Sequence, residues 1–260
     1  MDAESVSLNV MITFDEIYKN KRFSPDKITK SIENIGYKFD IIYFVLDTYV
    51  NSTLTECKKD ECLTTIKSTL ETLKDKWAVS VEYYIIDYEN TDMYNKMLEE
   101  YVKDPKALLN RGKYYKNTLI YIISTLICKT RYMFHLDGNR EIFKTNNENS
   151  LNFVEKSLEC LQNNNDIVGT CVPRKNMELR IIMHNEYFDF FKSHFVRGKY
   201  HLSLQAYLVD VQRYKDVVLG HFKKDVKNYN KHIENLIDSS FSKKFPLFMK
   251  MSISNIYKDS

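Results

Sequence analysis

The chain has 260 residues, enough for one domain with a sizeable core. Hydrophobic residues at 43% and charged residues at 28% exclude disorder over most of that length. A net charge of +3 is too small for the dense basic footprint of a nucleic-acid-binding protein, and the six glycines form neither a GxGxxG nor a GxxxxGK[ST] phosphate loop.

The five cysteines include no CxxC pair, so they read as reduced thiols rather than a zinc site or a disulfide framework. The start, Met1-Asp2-Ala3-Glu4, is acidic and unlike a signal peptide, and the apolar runs near 41–46 and 119–128 are too short to span a bilayer. A cytoplasmic protein without a transmembrane segment is expected.

Leu8–Phe14 reads as a buried first strand. Ser24-Pro25-Asp26 is a helix-start signal, with a helix predicted over Lys27–Ile35. Phe39–Leu46 is a second continuous apolar run, of the kind found in parallel strands covered on both faces. Leu63, Ile66, Leu70 and Leu73 mark one face of a helix over Glu61–Lys76. Val79–Ile86 is a third strand, Tyr94–Val102 a short helix, Lys113–Cys128 a long helix and Tyr132–Leu136 a fourth strand. Three strands thus run directly into an aspartate: Asp47, Asp87 and Asp137. Open α/β sheets bind ligands outside the carboxyl ends of their strands, so these residues predict a polar rim there.

A polar loop is expected over Lys144–Ser150, then a helix over Leu151–Leu161 and a strand over Asp166–Val172. Further strands are expected over Asn176–Ile182 and Ala206–Val211, and helices over Tyr187–Phe195 and Lys231–Phe241. The basic, apolar tail from Lys243 is expected to dock back onto the domain. His135 is expected to face away from the aspartate rim. No repeat or linker divides the chain, which reads as one domain, 1–260. Residues 1–143 and residues 144–260, the second carrying the tail, read as two halves of it.

The stretch Asn110–Phe143, NRGKYYKNTLIYIISTLICKTRYMFHLDGNREIF, carries a resemblance. It has a Gly-Lys pair, an Asn four residues after that Lys, a long apolar helix, and a strand ending in Asp-Gly-Asn. This resembles the central segment of glycosyltransferase family 2 and its GT-A relatives, whose strand ends in a DxD motif. Val218-Leu219-Gly220-His221-Phe222 is similar, more weakly, to the Gly-Gly-Phe segment of that family.

The resemblance implies an α/β GT-A nucleotide-diphospho-sugar transferase fold, with a mostly parallel central sheet flanked by helices. It implies that Asp137 and Asn139 hold a divalent cation, Mn or Mg, beside the donor diphosphate. Such oxygen ligands suit hard cations, and the cation neutralises charge on the leaving group. Gly138 would let the backbone pass close to a phosphate. Thr13 and Phe14 would border the nucleotide, Asp47 would touch uracil or ribose, and Arg111, Lys113 and Asn117 would lie at the phosphate end. Glu234, where the family has an acidic pair, would deprotonate the acceptor; Asn235 stands at the second position. The implied activity moves a sugar from a nucleotide-sugar donor, of the UDP class, to a glycan, lipid-linked or protein hydroxyl, with inversion. The departures at Asn139 and Asn235 keep open a binding or scaffold protein without turnover, and the shared α/β nucleotide-binding logic keeps open a sugar nucleotidyltransferase. A homo-oligomer is compatible with all three.

Overall fold

A computed structural model describes residues 5–13, 24–47, 56–77, 79–86, 92–112, 116–144, 153–163, 165, 168–172, 195–197, 206–220, 248–251 and 255–259. The apolar runs of the first half become β1 (Val6–Thr13), β2 (Ile41–Asp47), β3 (Ser80–Ile86) and β4 (Tyr132–Asp137). Later come β5 (Arg140–Lys144), β6 (Gly169–Cys171), β7 (Phe195–Arg197), β8 (Ala206–Asp210), β9 (Phe248–Met251) and β10 (Asn255–Asp259). The helices are α1 (Pro25–Ile35), α2 (Glu56–Trp77), α3 (Asp92–Glu99), α4 (Pro105–Gly112), α5 (Lys116–Ile127) and α6 (Phe153–Asn163). A short α7 (Val211–Tyr214) continues into a π turn over Lys215–Leu219.

Among the described residues the main sheet has eight strands in the order β3-β2-β1-β4-β8-β6-β9-β7. The ladders β3–β2, β2–β1 and β1–β4 are parallel. Beyond β4 the sheet is mixed: β8 runs antiparallel to β4 and β6, β9 is parallel to β6, and β7 is antiparallel to β9. The expectation of a mostly parallel sheet therefore holds for the first half, while the second half is mixed. β5 leaves the main sheet and pairs antiparallel with β10.

Strand alternation splits the core into two layers. On one face Met11, Tyr43, Val45, Met133, Tyr207 and Val209 pack with residues of α3, α4 and α5. On the other, Leu8, Val10, Ile12, Phe44, Leu46 and Phe134 pack with α1, α2 and α6. Continuous apolar strands follow from this double coverage. A side chain leaving either layer, at about 25 cal/mol per Å² of apolar area, would forfeit the main favourable term of folding.

Helix ends follow local chemistry. Ser24 precedes α1, Pro25 occupies its first turn, and Gly36 closes it at φ 66° with its N–H donating to Ile32 O. Asp104 accepts from Ala107 N at 2.9 Å and so starts α4 ahead of Pro105. Asp210 accepts from Arg213 N at 3.1 Å, which turns Val211 from the predicted strand into helix. α4 is absent from the sequence reading. It precedes the predicted Lys113–Cys128 helix, which is described as α5 over Lys116–Ile127. Phe195, predicted helical, lies in β7, and Lys144, predicted as loop, ends β5. The tail docks on the domain as expected, through β9 and β10. Asp87, the predicted strand over 176–182 and the predicted helix over 231–241 lie outside the described residues.

Candidate functional site

The strand order 3-2-1-4 reverses its winding between β1 and β4. β1 and β4 are parallel, so their carboxyl ends open at one edge, the usual ligand crevice of doubly wound sheets. Asp137 ends β4 there, in register with Met11, and Thr13 ends β1 in register with Asp47. Alternation sets Met11, Thr13, Asp47 and Asp137 on the same face, the one covered by α5.

The chain turns at Gly138-Asn139 and enters β5. Gly138 N donates to Met11 O at 2.7 Å, which seats the turn on β1. A Cβ on Gly138 would lie 2.8 Å from Met11 O and 2.9 Å from Ile12 Cγ1. Glycine is thus demanded by the β1 backbone; the close approach expected toward a phosphate is made to the protein itself. β5 is then fastened on both edges. β10 pairs along one, while Ser31 Oγ accepts from Ile142 N and Asn34 Nδ2 donates to Ile142 O from α1.

Asp137 is partly exposed, at 22% of its side chain, whereas Asn139 is nearly enclosed at 7% and Asp47 fully so. Of the two predicted aspartates on this edge, Asp137 is therefore the one that reaches solvent. Its Oδ1 accepts from Tyr121 Oη at 3.3 Å and lies 3.1 Å from His135 Nε2. His135 is fully buried between two rings, 4.5 Å from Tyr121 and 4.5 Å from Tyr207 between centroids. Burial lowers the His135 pKa below 6.5, with Asp137 acting in the opposite sense. Burial raises the Tyr207 phenol well above its usual value, so it stays protonated.

Beneath this cluster a polar seam continues between β1 and α5. Asn9 Nδ2 donates to Ser124 O at 3.1 Å and Oγ at 3.0 Å, Ser7 Oγ donates to Asn9 Oδ1 at 2.7 Å, and Cys128 Sγ lies 3.2 Å from Ser7 Oγ. Each buried group finds a partner, which avoids the ~1–3 kcal/mol cost of an orphan.

Of the sequence-predicted site residues, the structure brings Thr13, Asp47, Asp137, Gly138 and Asn139 to one sheet edge. Arg111 sits in the last turn of α4, not at the start of the long helix, because α4 ends before α5 begins. Asn117 is in the first turn of α5. Phe14, Lys113 and Glu234 lie outside the described residues, as do His221 and Phe222; Val218 and Leu219 belong to the π turn. His135 does not face away from the rim: two residues before Asp137, it shares that residue's face by the period of two. That spacing was available as a signal. Tyr121 and Tyr207 had none beyond their aromatic character, since they reach the cluster from α5 and β8.

No protein-family model matches the sequence, and no curated protein matches it significantly. Among the described residues no group of three or more His, Cys, Asp or Glu side chains is gathered for a metal, and no helix is long and apolar enough to cross a membrane.

Proposed function

We propose that the protein is a GT-A-type glycosyltransferase that moves a sugar from a nucleotide-sugar donor, of the UDP class, to a hydroxyl acceptor. The observation that supports this most is the position of Asp137-Gly138-Asn139 at the carboxyl edge between β1 and β4, with Thr13 and Asp47 on the same face. A nucleoside diphosphate is the ligand class such a crevice commonly takes, and a charged, partly exposed carboxylate is what a phosphate-bound hard cation needs from the protein.

The residues fit such a cation. Mg and Mn keep several waters and substrate phosphate oxygens and ask for only one or two carboxylates. One exposed aspartate suits that demand, where a fully protein-made site would need the larger cluster that is absent among the described residues. Asp137 would be the main ligand and Asn139 a neutral second. When bound, the cation would neutralise charge growing on the diphosphate. Asp47 and Thr13 would border the nucleoside, and Arg111, Lys113 and Asn117 the phosphates. Glu234, on the sequence resemblance, would take the acceptor proton; one carboxylate serves an inverting displacement.

With Mn and a UDP-sugar, purified protein is expected to release UDP. Asp137→Ala should lower that rate roughly 100-fold or more, since several kcal/mol of charge stabilisation go with the cation. No release from any common sugar nucleotide would overturn the enzymatic reading. Asn139, enclosed and uncharged, favours one second reading: a protein that binds the donor without turning it over. Tight UDP binding with no turnover would select it.

A further inference from the structure

We infer that His135, together with Tyr121, is a positioning residue that fixes the carboxylate of Asp137 by holding its Oδ1, so that Oδ2 is the oxygen offered to a cation. The inference rests on the proposed role of Asp137 and adds residues that the sequence resemblance does not supply.

Four observations carry it. Among the described residues, both side-chain hydrogen bonds to Asp137 go to the same oxygen, from Tyr121 Oη at 3.3 Å and His135 Nε2 at 3.1 Å. An ionised carboxylate only accepts, so Nε2 is the donor in either protonation state of the ring. The imidazole is clamped face to face by Tyr121 and Tyr207, at interplanar angles of 29° and 17°, which leaves it no room to swing away from Asp137. Finally, His135 Nδ1 is buried and has no hydrogen-bond partner among the described residues. A leucine or phenylalanine would fill this core position without an unsatisfied nitrogen. The imidazole is therefore costly as packing, and among the described residues the one polar contact it makes in return is with Asp137. Partners that orient a ligating group commonly affect metal affinity as strongly as this arrangement requires.

The test separates donor from ring. His135→Phe keeps an aromatic ring between the two tyrosines and removes the donor. His135→Gln loses the ring but keeps an amide N–H near the Nε2 position. Calorimetry with Mn alone and with Mn plus UDP is expected to show His135→Phe binding roughly 10- to 100-fold more weakly than wild type. His135→Gln should recover most of that loss, and Tyr121→Phe should show a smaller loss in the same direction. Thermal melting of each variant checks that it is folded. A folded His135→Phe that binds Mn and UDP like wild type would overturn the inference, as would equal losses in the Phe and Gln variants, which would mark a packing role only. Asp137→Ala is the reference. If it still binds Mn and UDP, the proposed function falls and this inference with it. Nitrogen NMR of the His135 ring in wild-type protein needs neither ligand nor variant: a proton on Nε2 is expected, and a neutral ring protonated on Nδ1 would overturn the positioning contact even if the variants fail to fold.

Discussion

An imidazole sealed between two phenol rings should leave a mark on stability as well as on binding. Burial lowers the pKa of His135 from 6.5 in the folded protein. Below about pH 6.5 the unfolded chain then takes up a proton that the folded chain refuses, so the unfolded state binds more protons and stability falls as pH falls. For one group the slope approaches about 1.4 kcal/mol per pH unit at most. The stability difference between wild type and His135→Phe is therefore expected to shift against wild type between pH 7.5 and 5.5. Urea unfolding at several pH values measures it; a difference that stays flat with pH would show that the ring titrates normally and is not enclosed as described. Tyr121 and Tyr207 set this environment from two other elements, and nothing in their local sequence announces that they meet.

The element that holds the site is the β1–β4 seam. Gly138 is the residue on which it closes: its N–H binds Met11 O, and a Cβ there would sit 2.8 Å from that same backbone oxygen. Backbone cannot yield as a flexible side-chain tip does. Gly138→Ala is expected to destabilise the protein by about 1–3 kcal/mol, the usual cost of overpacking, read as a lower urea midpoint with an unchanged slope. Stability equal to wild type would mean that the turn is not seated on β1. Much of this element level was legible in advance. The apolar runs at Ile42, Phe44 and Leu46, or at Met133 and Phe134, announce strands because both of their faces are covered, and the aspartates at their ends were found at the right edge. What escaped had physical reasons. α4 begins on Asp104-Pro105, a capping signal masked by the longer apolar pattern that follows. β5 and β10 are short, and their pairing joins residues more than a hundred positions apart, which no local period reports. β7 and β9 are likewise short, and their pairing joins residues more than fifty positions apart. Gly138 was read as room for a ligand because the sequence shows a glycine without showing what presses on it.

At the scale of the whole molecule, β4 stands where two half-sheets meet. On one side β1, β2 and β3 are parallel and open their carboxyl ends together; on the other β8 starts a mixed half that brings Tyr207 beside His135. The chain that leaves the site as β5 is tied down by α1 and by β10 from near the C-terminus. Asp137 thus sits at a strand end, partly exposed and held by buried partners, as the proposed nucleotide–metal site would require. The most direct test of that claim is thermal melting with UDP, with and without Mn, in wild type and Asp137→Ala. A ligand that binds only the folded state raises the midpoint. The expected result is a rise that needs both UDP and Mn and is lost in Asp137→Ala. No rise in wild type, or an equal rise in the variant, would contradict a nucleotide–metal site at this strand end.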